Sequence, residues 1–273
     1  MTSPVVEPIV DAAWLAAHRD EVVVADVRWY LDGRSGLEAY IQRHLPGAVF
    51  VDLDRCLSGP PSAQDGRHPL PEAASFALAM ASVGISNDSR VIGYDDDYGR
   101  TAARLVWLLR VTGHPASLLD GGMGAWPGPS ESGRPSPVAG VFDLDRWPAD
   151  RFVTADDVKS AGLVMDARAP ERYRGEVEPV DARAGHIPGA RNAPTSENLD
   201  GRGYFKPPMA LRALYEGLGA GDEISPVVYC GSGVTACHDL LALEMAGFKW
   251  GRLYAGSWSQ WSGDPARDVE TGP

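Results

Sequence analysis

The chain has 273 residues, 44% of them hydrophobic and 23% charged, and a formal net charge of −12. That length accommodates one large domain or two of ordinary size with apolar cores of their own. The acidic balance argues against nucleic acid and anionic membrane as partners, and no apolar run reaches the ~18 residues of a membrane span.

Three cysteines, Cys56, Cys230 and Cys237, make no disulfide framework and point to a reducing compartment. There is no CxxC or HxxxH spacing, so neither a metal nor a cofactor is expected. Met1 to Pro8 carries no basic segment followed by an apolar one, so a cytoplasmic protein is expected.

In chain order, residues 9–20 read as a short amphipathic helix with Trp14 and Leu15 inward. Val22 to Arg28 is a buried strand ending in Asp26-Val27-Arg28. A helix tail then runs into the turn His44-Leu45-Pro46-Gly47-Ala48, and Val49 to Asp52 is a second strand. A helix over 71–84, a strand at Val91–Asp95, a helix over 102–112 and a strand at Ser117–Asp120 follow, then Gly121-Gly122 and Trp126.

The second half repeats this order. Asp166-Ala167-Arg168 matches Asp26-Val27-Arg28, and His186-Ile187-Pro188-Gly189-Ala190 matches the His44 turn. Val227-Val228-Tyr229-Cys230 matches the strand at Val91, with Cys230 where Asp95 stands, and Gly256 to Trp261 matches Gly121 to Trp126. A period of roughly 135–140 residues means two homologous domains. The fold expected is α/β, each half a parallel sheet flanked by helices. The Pro- and Gly-dense stretch after Trp126 marks an exposed linker, giving domains over 1–135 and 151–273 joined by 136–150.

A feature present in both halves does not explain chemistry that only one performs. The paired Asp-x-Arg and His-x-Pro-Gly-Ala motifs therefore read as structural, and Trp126 and Trp261 as core. What differs is the loop after the Cys230 strand: Gly231, Ser232, Gly233, Val234, Thr235 and Ala236, leading into a helix. The first half has the acidic Asp95-Asp96-Asp97 there, which cannot supply a sulfur nucleophile. Only a thiolate attacks, and a glycine-rich turn at a helix start gathers N–H donors that favour it. Cys237 reads as a small buried hydrophobe, and Cys56 has no such context. Five arginines between Asp166 and Arg191, among them Arg172, Arg174 and Arg183, offset the global charge for an anionic substrate. A cysteine phosphatase needs an arginine six positions after its nucleophile; that position is Ala236, which argues against phosphoryl chemistry.

The chain resembles the tandem-domain sulfurtransferases, the rhodanese and 3-mercaptopyruvate sulfurtransferase family, over essentially its whole length. The resemblance rests on Arg43 to Ala48, Arg67-His68-Pro69-Leu70-Pro71, Leu119 to Gly122, Gly185 to Ala190, Cys230 to Ala236 and Gly256 to Trp261. It implies two rhodanese domains, the C-terminal one catalytic, with Cys230 carrying sulfur as a persulfide. The loop Gly231 to Thr235 looks like the mercaptopyruvate type, and Arg172 matches the family's substrate arginine. Mercaptopyruvate enzymes carry a second arginine after a Glu-Pro pair; here Val180 follows Glu178-Pro179, and the nearest arginine is Arg183. The resemblance also implies a place for His44 at the substrate site. The implied partners are a small anionic sulfur donor and a thiol, thioredoxin or cyanide acceptor. The competing reading is a non-catalytic sulfur carrier or partner-binding module.

Overall fold

The computed structural model describes residues 7–248 and 251–273. The first six positions of the domain expected over 1–135, and with them most of the N-terminal segment read for targeting, lie outside the described residues. Two compact units emerge: Met1–Leu57 with Pro71–Trp147, and Ser58–Leu70 with Pro148–Pro273.

In the first unit, β1 (Ile9–Val10), β2 (Val23–Asp26), β3 (Val49–Phe50), β4 (Val91–Tyr94) and β5 (Ala116–Leu119) form a parallel sheet in the order β1-β5-β4-β2-β3. Every residue of β4 and β5 is buried, as expected of central parallel strands covered on both faces. The helix expected over 9–20 is shorter. Ile9 and Val10 pair with β5, and Asp11 caps a helix at Ala12–Ala17 by accepting from Trp14 N at 2.7 Å.

The linker expected over 136–150 also differs. Residues up to Trp147 belong to the first unit. Phe142 is buried edge-on against Phe76 and stacked on His114, while Trp147 packs on Phe76 and donates Nε1–H to Pro71 O at 2.7 Å. Two aromatics supply enough apolar area to pin a segment whose Pro and Gly content reads as free.

In the second unit, β6 (Val164–Asp166), β7 (Arg191–Asn192), β8 (Val227–Tyr229) and β9 (Arg252–Leu253) form a parallel sheet in the order β7-β6-β8-β9. Val227, Tyr229, Tyr254, Trp258 and Trp261 share one buried cluster. Trp126, the first-half counterpart of Trp261, is only half-buried and donates to Pro129 O at 2.9 Å. Because β8 lies between β6 and β9, its carboxyl end opens at the middle of the sheet edge where ligands of such sheets bind. Among the described residues no helix is long and apolar enough to cross a membrane.

Candidate active site

Cys230 follows β8 directly and is 2% exposed. Its backbone is fastened on both sides: Cys230 N–H donates to Ser257 Oγ at 3.2 Å, and Trp258 N–H donates to Cys230 O at 3.0 Å. Ser259 N–H donates to Gly231 O at 2.9 Å, so the segment after β9 holds the loop. Gly233 N–H turns back and donates to Cys230 Sγ at 3.1 Å. That turn needs φ of +76° at Gly233, and a Cβ there would sit 2.5 Å from Ala255 O, so glycine is required. The helix Ala236–Met245 starts next, with eight successive residues from Ala236 to Leu243 buried. Thr235 is half-buried and its hydroxyl does not cap that helix. Val234 and Ala236 are buried beneath the loop.

Two arginines stand over Gly231. A Cβ on Gly231 would lie 3.0 Å from Arg67 Nη2 and 3.6 Å from Arg172 Nη1. Arg172 is on the short helix Pro170–Tyr173 after β6, and Arg67 is in the Ser58–Leu70 segment, which belongs to this unit. Asp181 accepts from both arginines, through Oδ1 from Arg67 Nη1 and through Oδ2 from Arg172 Nη2 at 3.1 Å. Glu178 accepts from Arg172 Nη2 at 2.6 Å and Arg168 Nη1 at 3.2 Å, and Arg168 is in turn paired with Asp166. Burial lifts the Asp181 carboxyl above the ordinary carboxylate range although Arg67 and Arg172 oppose the shift. Glu178 goes the other way: burial also works against its charge, but the hydrogen bonds from Arg172 and from Asp181 and Val180 N–H hold it below that range.

Ser232 is paired with His68, whose Nδ1 lies 2.7 Å from Ser232 Oγ; both side chains are buried. The sequence places Ser232 in the loop after Cys230 but assigns no task to Arg67 or His68. The signal available was the Arg67-His68-Pro69 motif itself.

Arg183 has a different task from the one expected. Its Nε, Nη1 and Nη2 donate to the carbonyls of Ser262, Arg267, Trp261 and Asp264 at 2.7 to 3.1 Å. A guanidinium with every nitrogen on backbone oxygen organises the C-terminal turn.

His44 and His186 occupy equivalent places in their own units. His44 Nδ1 lies 2.8 Å from Tyr40 O and the ring stacks on Tyr40; His186 Nδ1 lies 2.8 Å from Tyr173 O and the ring stacks on Tyr173. Each Nε2 approaches a carboxylate, Glu131 at 4.0 Å and Glu270 at 3.7 Å. The Asp-x-Arg pairs are likewise duplicated: Arg28 Nη2 lies 2.7 Å from Asp26, and Arg168 Nη2 lies 2.6 Å from Asp166, each arginine also bonding a carbonyl.

The first-unit counterpart of the cysteine loop is filled from within. Asp95 accepts from Asp97 and Gly99 N–H through Oδ1 at 2.8 and 2.7 Å, and from Thr101 and Ala102 N–H through Oδ2, both at 2.8 Å. The donors that an anion would need are thus occupied by a side chain. Of the other cysteines, Cys237 is fully buried with its thiol on Gly233 O at 3.5 Å, and burial pushes the Cys56 thiol up to about 11. Neither is suited to attack at neutral pH.

The rhodanese-like domain family matches the chain twice, over residues 11–128 and 151–264. The chain is 44% identical to a probable 3-mercaptopyruvate sulfurtransferase of Pseudomonas aeruginosa, over 97% of this chain and 98% of that one. It is also 44% identical to a putative thiosulfate sulfurtransferase, SseB, of Mycobacterium tuberculosis, over 93% of this chain and 92% of that protein. Among solved structures, the 3-mercaptopyruvate sulfurtransferase from Leishmania major superposes with a TM-score of 0.86 at 31% identity, covering 96% of this chain and 75% of that one.

Proposed function

The chain belongs to the rhodanese family as a tandem-domain sulfurtransferase, and from that premise we propose that Cys230 accepts a sulfur atom from a small anionic donor and passes it to a thiol. The observation that carries this reading is the Gly233 N–H on Cys230 Sγ beside two guanidinium groups over Gly231. The first places a donor where negative charge must rest on sulfur; the second offers a place for the donor's charged end.

In the first step the Cys230 thiolate attacks the outer sulfur. With thiosulfate, the S–S bond breaks and sulfite leaves with the electron pair, so no proton moves. With 3-mercaptopyruvate, the C–S bond breaks and the pair passes into an enolate, which takes up the donor's thiol proton to become pyruvate. Both routes leave Cys230 as a persulfide anion. Ser232, hydrogen-bonded to His68 and two residues after Cys230, relays that proton. In the second step an acceptor thiolate or cyanide attacks the terminal sulfur and frees the Cys230 thiolate, giving ping-pong kinetics. Arg172 and Arg67 bind the donor; Arg183 and His44 serve the fold of their own segments.

Intact mass of the protein after exposure to donor tests this reading. The wild type should gain one sulfur and lose it on adding thiol, and Cys230→Ser should gain none and transfer none. Loading at full stoichiometry in Cys230→Ser would move the sulfur site elsewhere.

A further inference from the structure

Asp181 stands between the two arginines that face Gly231. Its side chain is 3% exposed, against 31% for Arg67 and 18% for Arg172. Arg67 Nη1 and Arg172 Nη2 are held by the Asp181 carboxylate, while Arg67 Nη2 and Arg172 Nη1 are turned toward Gly231. Each guanidinium therefore has one edge on Asp181 and another over the neighbour of Cys230. Arg67, Asp181, Val180, Ala182 and Ser259 line a cleft of about 370 Å³. Arg172 Nε is buried and makes no hydrogen bond among the described residues.

The charges run in an alternating chain: Asp166, Arg168, Glu178, Arg172, Asp181, Arg67. Three acids and three arginines sum to zero. Asp166 is bonded to Arg168, and Glu178 is shared between Arg168 and Arg172, so Asp181 is the carboxylate in this chain that bonds both Arg67 and Arg172. A donor bound there is attracted by two guanidinium groups and repelled by the carboxylate behind them.

We propose that Asp181 is a specificity-determining residue that ranks sulfur donors by charge, lowering by one unit the positive field met by the donor and so favouring monoanions over dianions. The proposal rests on the reading that Arg67 and Arg172 bind the donor's charged end. The carboxylate's repulsion acts on each charge of the donor, so its effect on a dianion is the square of its effect on a monoanion. 3-Mercaptopyruvate, a carboxylate, suffers once; thiosulfate suffers twice.

The test is steady-state kinetics of Asp181→Asn and Asp181→Ser with both donors, each variant checked for an intact thermal transition. Asn keeps the size and one hydrogen bond without the charge; Ser provides a neutral variant of smaller volume should the amide misfold. Removal of the charge should raise kcat/KM about fivefold for 3-mercaptopyruvate and about 25-fold for thiosulfate, chiefly through KM. The ratio of the two specificities thus moves about fivefold toward the dianion. An unchanged ratio, or one that moves toward the monoanion, overturns the proposal and leaves Asp181 a clamp that merely positions its arginines. Arg172→Ala is the control for the premise. If it leaves KM unchanged for both donors, the donor-binding role of the arginines is wrong. If it raises KM while the Asp181 variants leave the ratio fixed, only the charge-ranking role fails.

Discussion

His68 Nδ1 and Ser232 Oγ lie 2.7 Å apart in a buried contact although 164 positions separate them in sequence. In the proposed mechanism the pair handles a proton in one of the two donor chemistries and not in the other. Release of pyruvate needs a proton on carbon, whereas release of sulfite needs none. His68→Ala should therefore lower kcat with 3-mercaptopyruvate by about 10²-fold, while kcat with thiosulfate changes by less than about threefold. Parallel rate measurements with the two donors decide it; an equal loss with both would mean that His68 only props the loop.

Arg183 should behave as a residue of the fold. Replacing it by alanine removes four hydrogen bonds to the carbonyls of Trp261, Ser262, Asp264 and Arg267. The cost expected is about 3 kcal/mol of stability, read as a fall in Tm of about 6–12 °C. KM per folded molecule should be unchanged with either donor. A raised KM with an unaltered melting curve would restore Arg183 to the substrate site.

Asp239 gives a pH dependence with a definite sign. It is fully buried on the helix Ala236–Met245; Oδ1 accepts from Asn198 Nδ2 at 2.7 Å and Oδ2 has no hydrogen-bond partner among the described residues. Burial, with a contribution from Asp166, raises its carboxyl well above the ordinary 3.8, against the opposing bonds from Asn198 and Tyr215. The folded protein then holds this proton to higher pH than the unfolded chain. The associated stability is complete below about 3.8 and declines as pH rises through the folded value. Asp239→Asn should accordingly raise Tm at pH 8 and lose that advantage as the pH falls toward 4. Thermal melts of both proteins across this range are the check, and a variant less stable at pH 8 would contradict the assignment.

The Cys230 loop was readable because the residues that shape it are contiguous. A β-branched run, a cysteine, two glycines and an apolar-periodic segment dictate strand, turn and helix between Val227 and Met245. The duplicated half supplies the contrast in sequence, Asp95 standing where Cys230 does; that Asp95 accepts from its own loop's N–H groups is visible only in the structure. The positions of Arg67 over Gly231 and His68 on Ser232 were not readable. The Ser58–Leu70 segment has no periodicity of its own, and its partners Asp181 and Ser232 lie more than a hundred positions away. Arg183 misled for another reason: its partners are backbone carbonyls, which leave no trace in a pattern of side chains. The stretch to Trp147 misled because proline and glycine were weighed and the anchoring Phe142 and Trp147 were not.

The interleaving of the two units has a genetic consequence. Ser58–Leu70 is encoded inside the first half but builds the second. An open reading frame that begins at Pro148 would specify Cys230 and Arg172 yet omit Arg67 and His68. The half that carries Asp95 in place of Cys230 therefore contributes a segment to the other unit. Any deletion that removes it in one piece also removes Arg67, which stands over Gly231, and His68, which pairs with Ser232.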